Sequence, residues 1–229
     1  MRFFAHRGAM ADAPENTLLA IELAIRSGAK WIEIDIIAHQ GNLLVIHDLT
    51  LDRTTNGSGW VKDHTMAQLM RFDAGMGQRI PLLEEVLNLV AGRVSLNIEL
   101  KSKGCAGLLA VLLTKPIFSA LKPDLLVSSF DHNELLLFQK SCPDVDLGLL
   151  VYGVPLSLNA AIGVLKIRSL HISAEFIDEP LIKEAKAKGL EVYIYTVNEI
   201  SHLNNLKHLP IDGVFTDHSQ LWLGYYKIQ

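Results

Sequence analysis

Eight short apolar segments, separated for the most part by amphipathic helical patterns, constrain the fold of this chain more than any other feature. They are RFFAH (2–6), WIEIDI (31–36), SLNIEL (95–100), LLVSSF (125–130), DLGLLVY (146–152), SLHISA (169–174), EVYIYTV (191–197) and DGVFTD (212–217). Several are nearly continuous apolar runs, as in strands buried on both faces of a parallel sheet. ENTLLAIELAIRSG, EEVLNLVAG, NELLLFQKS, LNAAIGVLK, EPLIKEAKAKG and ISHLNNLKHL carry helical spacing and close near Gly, Lys or Pro. Eight such strands with interleaved helices in 229 residues predict a (β/α)8 barrel near its lower size limit. An open doubly wound sheet is the rival, but no G-x-G-x-x-G turn follows the first strand. LLVIHD (43–48) and the polar, turn-rich LDRTTNGSGW behind it break the rhythm. Residues 49–80 therefore read as a small insertion after the second strand, within a single domain spanning 1–229.

Composition narrows the function. Hydrophobic residues at 49% and charged residues at 20% suffice for a sizeable core. Lys plus Arg at 21 against Asp plus Glu at 25, with no basic run, argues against a nucleic-acid partner. Cys105 and Cys142 lie in no C-x-x-C pair and beside no His cluster, so they read as ordinary reduced thiols rather than zinc ligands. The opening MRFFAHRGAM has too short an apolar run for a signal peptide, and LLAVLLTKPIF is too short to span a membrane. The expectation is a cytoplasmic protein without stable membrane association; nothing in the sequence specifies an oligomeric state.

Polar residues then fall at strand ends. His6 and Arg7 close the first strand. Glu33 and Asp35 are two apart on the second, so they share a face, as do Glu99 and Lys101 on the third. His47 ends the LLVIH segment. In a barrel the carboxyl ends of the strands converge on one mouth, where active sites lie. Three carboxylates gathered there repel one another, and a divalent cation is the simplest relief. All-oxygen ligation favours Mg²⁺ or Ca²⁺ over zinc. Phe130 closes the fourth strand, where a ring serves either core packing or a substrate; we place it with the substrate-facing residues. The other histidines read as surface or core groups, His171 as a buried hydrogen-bonding one; for His218, just past the eighth strand, a place at the edge of the mouth is the alternative to that bland reading.

HRG (6–8), PENT (14–17), E-x-D (33–35), HD (47–48), LDRTTNGSG (51–59), IPLLEEVL (80–87), NIELK (97–101), YTVN (195–198) and DGVFTD (212–217) occur in that order. In this the chain resembles the glycerophosphodiester phosphodiesterase family, from residue 3 to about 221. The resemblance implies a TIM barrel with a small insertion after the second strand. It also implies metal-dependent hydrolysis of glycerophosphodiesters to sn-glycerol 3-phosphate and an alcohol. By motif position it implies Glu33, Asp35 and Glu99 as metal ligands and His6 and His47 as the acid–base pair. Arg7 and Lys101 would hold phosphate oxygens, with Glu15 and Asn16 as supports. The family's T-x-D-G after E-x-D is replaced by IIAHQGN, one residue shorter between Glu33 and His47, which we read as a shortened turn that still delivers His47. Tyr195 stands where the family has Trp, keeping an aromatic face for the glycerol carbons. Two rival functions use the same barrel: a lysophospholipase D type activity on lysolipids, and a non-catalytic phosphodiester-binding scaffold.

Overall fold

Side-chain parity along the strands builds this molecule. The computed structural model describes residues 1–218 together with Leu221 and Gly224. Its strands are β1 (Arg2–Ala5), β2 (Trp31–His39), β3 (Asn42–Val45), β4 (Ser95–Leu100), β5 (Leu125–Ser129), β6 (Asp146–Val151), β7 (Ser169–Ser173), β8 (Glu191–Tyr195) and β9 (Gly213–Thr216). All neighbours pair in parallel except β2 and β3, and pairing of β1 with both β9 and β2 closes eight strands into a ring with β3 outside it. The predicted (β/α)8 barrel is therefore the fold. Each predicted ring strand appears within a residue or two, save that β2 runs three residues longer, to His39.

That extension is the shortened turn of the sequence. Gln40 and Gly41 both take positive φ, at 46° and 76°, and join β2 to β3 as a two-residue hairpin. Two positive φ values at the centre of a hairpin match the right-handed twist of the flanking strands. The hairpin returns the chain to the barrel mouth, where the Ile46 amide donates to the Asp35 carbonyl at 3.1 Å. His39, expected in the turn, is instead the last residue of β2, buried and bonded through Nε2 to the His64 carbonyl at 2.8 Å.

Outward-facing positions of the ring are aliphatic: Ile32, Ile34, Ile36, Leu96, Ile98, Val127, Leu149, Ile172, Val192 and Val214 are buried in one cluster with the surrounding helices. Inward positions change character with height. Near the amino-terminal ends Phe4, Leu126, Tyr193 and Phe215 fill the barrel, with Phe4 stacked on Phe215 at 4.4 Å between centroids. Higher up the inward residues are polar: Asn97, Ser128 and His171, then Glu33, Asp35 and Glu99. The period of two thus sorts apolar from polar across each strand. At Gly148 a Cβ would lie 2.5 Å from His171 Nε2, so glycine makes room for the imidazole inside the ring.

The helices are α1 (Leu18–Arg26), α2 (Met66–Leu69), α3 (Leu83–Val90), α4 (Cys105–Leu112), α5 (Pro116–Ser119), α6 (His132–Ser141), α7 (Leu158–Ile162), α8 (Glu179–Ala187) and α9 (Ile200–Leu206). Side-chain oxygens cap several amino termini: Thr17 on α1, Asp131 on α6 and Asp178 on α8. α4 begins at Gly104, which has no such group. The buried Glu134 of α6 accepts from the amides of Gly104 at 3.0 Å and Ala106 at 2.9 Å instead. Residues 46–82 carry their own small apolar cluster against the outside of the hairpin, with Leu51, Val61, Leu69 and Ile80 packed on Ile37, Leu44 and Ile46. Among the described residues no helix is long and apolar enough to cross a membrane.

Candidate active site

Register brings the carboxylates together. Asp35 on β2 pairs with Glu99 on β4, and Glu33 pairs with Asn97 one layer deeper. One oxygen from each of Glu33, Asp35 and Glu99 lies within 4.8 Å of the other two. Two oxygens bound to one hard cation at roughly 2.0–2.6 Å can be no more than about 5 Å apart, so this spacing suits a shared ion. Glu33 Oε1 and Asp35 Oδ1 are buried without a hydrogen-bond partner, the condition a ligand would relieve. The donor set, all carboxylate oxygen, fits a divalent cation such as Mg²⁺ or Ca²⁺.

The three acids are not equivalent. Burial, with Asp35 and Glu99 adding repulsion, holds Glu33 well above the usual carboxylate range. Burial and Asp35 push Glu99 up to about 7. Burial works against the charge of Asp35 too, yet Arg7, His47 and Lys101 hold it below its ordinary value. Asn16 adds a clamp, with Nδ2 donating to Asp35 Oδ2 at 2.9 Å while Oδ1 accepts from the Asp35 amide at 3.2 Å. Asp35 is therefore the anion that persists without a cation.

The cations flank this cluster. Arg7 and Gly8 take φ of 54° and 83° in the turn after β1. A Cβ at residue 8 would sit 2.7 Å from the Ala20 backbone, which explains the glycine of HRG. The turn aims the Arg7 amide at Glu33 Oε2, 2.9 Å away, and its guanidinium at Glu15 (2.7 Å) and Asp35 (3.3 Å). Lys101 Nζ lies 2.7 Å from Glu99 Oε1 and 3.8 Å from Asp35 Oδ1. Burial opposes the charge of both cations, but the surrounding carboxylates outweigh it and raise their pKa values.

Both histidines are backed by a carboxylate. His6 Nδ1 lies 2.6 Å from Asp217 Oδ1, and His47 Nδ1 lies 2.6 Å from Asp48 Oδ1. An ionised carboxylate only accepts, so each Nδ1 carries the hydrogen and each Nε2 is turned to the mouth. His6 Nε2 is 3.9 Å from Glu33, and His47 Nε2 accepts from Lys101 at 3.1 Å. Burial, helped by Arg7 and Lys101, lowers the His47 pKa and favours its neutral form.

The opposite wall is aromatic. Phe130 is 42% exposed, so its ring faces the opening rather than the core. It lies 5.7 Å from Lys101 Nζ and edge-on to Tyr195 at 5.9 Å. The Tyr195 hydroxyl donates to the Val151 carbonyl at 2.7 Å, leaving the ring against the pocket. A depression of about 610 Å³ opens beside them, lined by Glu99, Lys101, Phe130 and Asp131.

Every sequence-expected residue thus stands at this mouth: His6, Arg7, Glu15, Asn16, Glu33, Asp35, His47, Glu99, Lys101, Phe130 and Tyr195. His218 is exposed just past β9. His171 is fully buried beside Ser169, 2.9 Å away. Four further residues escaped the sequence reading as site residues. Asp48 and Asp217 back the histidines. Asn198 clamps Asp217, donating to Oδ2 at 2.6 Å and accepting from its amide at 2.9 Å. Arg53 forks between Asp48 and Glu15. All four lie inside the HD, DGVFTD, YTVN and LDRTTNGSG motifs, the only signal that could have found them.

A barrel mouth that pairs partly buried cations with carboxylate-backed histidines around a cation-sized acidic cluster defines an enzyme of phosphate esters. The family model described as the glycerophosphoryl diester phosphodiesterase family matches residues 6–221. A glycerophosphodiester phosphodiesterase of Bacillus altitudinis is 36% identical over 230 residues, covering 94% of each chain. One from Caldanaerobacter subterraneus subsp. tengcongensis is 34% identical over 93% of this chain and 92% of its own. Among solved structures, an Oleispira antarctica phosphodiesterase in complex with the product sn-glycerol-3-phosphate superposes with a TM-score of 0.90 at 30% identity. That match covers 99% of this chain and 97% of the other. The chain belongs to the glycerophosphodiester phosphodiesterase family.

Proposed function

We propose that this enzyme hydrolyses glycerophosphodiesters to sn-glycerol 3-phosphate and an alcohol by histidine acid–base catalysis at the barrel mouth. The observation that carries the reading is the pair of carboxylate-backed imidazoles presenting Nε2 beside Lys101, Arg7 and the acidic cluster. The product held by the Oleispira antarctica relative supports the substrate class.

Arg7 and Lys101 bind the phosphate oxygens and offset the charge that grows in the transition state. A Mg²⁺ or Ca²⁺ held by Glu33, Asp35 and Glu99 would add Lewis-acid neutralisation of that charge. Phe130 and Tyr195 cover the glycerol carbons and exclude water from them. The glycerol 2-hydroxyl attacks phosphorus, an intramolecular step with a large gain in effective molarity. One imidazole Nε2 takes the hydroxyl proton, and the other gives a proton to the departing alcohol oxygen as its P–O bond breaks. Water then opens the cyclic phosphate with the two roles exchanged. Asp48 and Asp217 hold the rings in the one tautomer that serves both directions.

The direct test incubates purified protein with glycerophosphocholine, glycerophosphoethanolamine and lysophosphatidylcholine, each with Mg²⁺, Ca²⁺ or EDTA. Release of sn-glycerol 3-phosphate from the first two, lost in EDTA, is the expected result. Turnover of the lysolipid alone would transfer the site to lysophospholipase D chemistry, and no turnover would leave a binding scaffold. A 1,3-propanediol phosphodiester, lacking only the attacking hydroxyl, tests the cyclic route. It should bind but turn over far more slowly, since the intramolecular advantage can reach roughly 7–11 kcal/mol. Hydrolysis within about tenfold of the parent diester, a barrier difference near 1.4 kcal/mol, would eliminate that route.

A further inference from the structure

Two features of this site have no part in the chemistry above: Glu15, and the inserted segment with its LDRTTNGSG motif. Arg53 joins them. Its Nε and Nη2 donate to Asp48 Oδ2 and Oδ1 at 2.7 and 2.9 Å, and its Nη1 and Nη2 donate to Glu15 Oε2 and Oε1 at 2.6 and 2.9 Å. Each carboxylate therefore occupies one edge of the same planar guanidinium. Each also shares one oxygen with a residue of the mouth: Asp48 Oδ1 accepts from His47 Nδ1 at 2.6 Å, and Glu15 Oε1 accepts from Arg7 Nη1 at 2.7 Å. The result is one chain, His47–Asp48–Arg53–Glu15–Arg7, that fixes an imidazole and a phosphate-binding cation relative to each other.

The arm carrying Arg53 is itself anchored. Leu51 is fully buried in the cluster behind the hairpin. Its carbonyl accepts from the Thr55 amide at 3.0 Å and the Thr55 hydroxyl at 2.8 Å, and its amide donates to the Gly59 carbonyl at 2.9 Å. The Arg53 side chain is 47% exposed. Its partners are less exposed, Glu15 at 10% and Asp48 at 24%, and a bidentate fork within a charge network can stabilise as well as orient, so comparison of activity with melting temperature separates an orienting role from a brace for the fold. A planar two-edged donor is what orientation of two acids requires, and a lysine cannot supply it.

We propose that Arg53 is a positioning residue for the reaction, through which the inserted segment orients His47 and Arg7 together. The proposal rests on the roles given to those two residues above. Arg53 would act through Asp48 and Glu15, the carboxylates it holds, and not on the substrate itself.

The test compares wild type, Arg53→Ala, Arg53→Lys and a control, Arg79→Met. The control removes another guanidinium–carboxylate pair at the far end of the insertion, that of Arg79 with Glu85. With glycerophosphocholine, Arg53→Ala should lose on the order of 10–100-fold in kcat/KM, as removal of an outer orienting partner does elsewhere. Its melting temperature should stay near wild type, and millimolar methylguanidinium should restore part of kcat. Arg79→Met should match wild type. In metal-free protein, ¹⁵N correlation spectra should show His47 as one Nδ1–H tautomer in wild type and as a mixture in Arg53→Ala. Arg53→Lys keeps the charge and should still lose activity; it is also the variant to use if the alanine form does not fold. Activity within about threefold of wild type with an unchanged His47 tautomer would overturn the proposal. A loss that tracks a lower melting temperature and ignores methylguanidinium would overturn it too, by making Arg53 a structural brace. An inactive wild type would instead refute the phosphodiesterase reading, while the tautomer measurement would still decide the part played by Arg53.

Discussion

Glu33 and Asp35 stand two residues apart on one face of one strand, yet their surroundings separate them. Asp35 is held ionised by Arg7, Lys101 and the Asn16 clamp, while burial and two neighbouring acids push Glu33 toward its protonated form. Glu33→Gln imitates that protonated form. It should melt no lower than wild type in EDTA but lose the rise in melting temperature that Mg²⁺ or Ca²⁺ gives. Asp35→Asn strips a buried anion from its cations and should cost on the order of 3 kcal/mol even without metal. Equal melting temperatures for the two variants in EDTA would show that the acids are interchangeable. His6→Ala and His47→Ala should each lower kcat by on the order of 10²–10⁴-fold, the usual worth of a general acid or base. Near-full activity of either variant would remove that imidazole from the mechanism.

At the scale of elements, α4 illustrates a cap supplied from a distance. Its first amides bond to Glu134 of α6, about thirty residues along the chain. Glu134→Ala should leave those donors unpaired, costing about 1–2 kcal/mol in urea denaturation. It should also speed thiol labelling of Cys105, the buried first residue of α4. Unchanged labelling would mean that α4 holds its first turn without the carboxylate. Most elements were legible because their patterns are local: apolar runs for the ring strands, and the two-residue spacing of Glu33 with Asp35 and Glu99 with Lys101. The hairpin was only half legible. IIAHQGN reads as a gap in a motif, and the pairing from Ile36 with Val45 to His39 with Asn42 reveals it as the end of β2 and a tight turn. The backing residues Asp48, Asp217, Asn198 and Arg53 were named as letters of motifs but not as parts of the site. Most of their contacts are set by closure of the ring and by the fold of the insertion. Asp217 meets His6 only because β9 pairs with β1.

Deep in the barrel, His171 ties the stability of the whole molecule to pH. Burial lowers the His171 pKa to about 3, from an ordinary value of 6.5. Below pH 6.5 the unfolded chain takes up a proton that the folded barrel refuses. The stability linked to His171 is therefore complete above pH 6.5 and declines steadily as the pH falls to 3, by on the order of 4–5 kcal/mol over that window. His171→Leu should flatten the acid limb of the stability curve measured by urea denaturation, whatever its stability at pH 7. An unchanged slope between pH 6.5 and 3 would assign acid lability to other groups. Below the mouth the ring is stopped by Phe4, Phe215 and Tyr193, with Trp31 packed against them. The barrel is thus a vessel with a floor. Diester, alcohol and glycerol phosphate all pass through one doorway, and nothing drains from beneath. The second product cannot clear the way for a new substrate until it has left by the path the substrate must enter. On the proposed reaction, added glycerol phosphate should therefore contend with the diester for the same threshold and slow the enzyme that makes it.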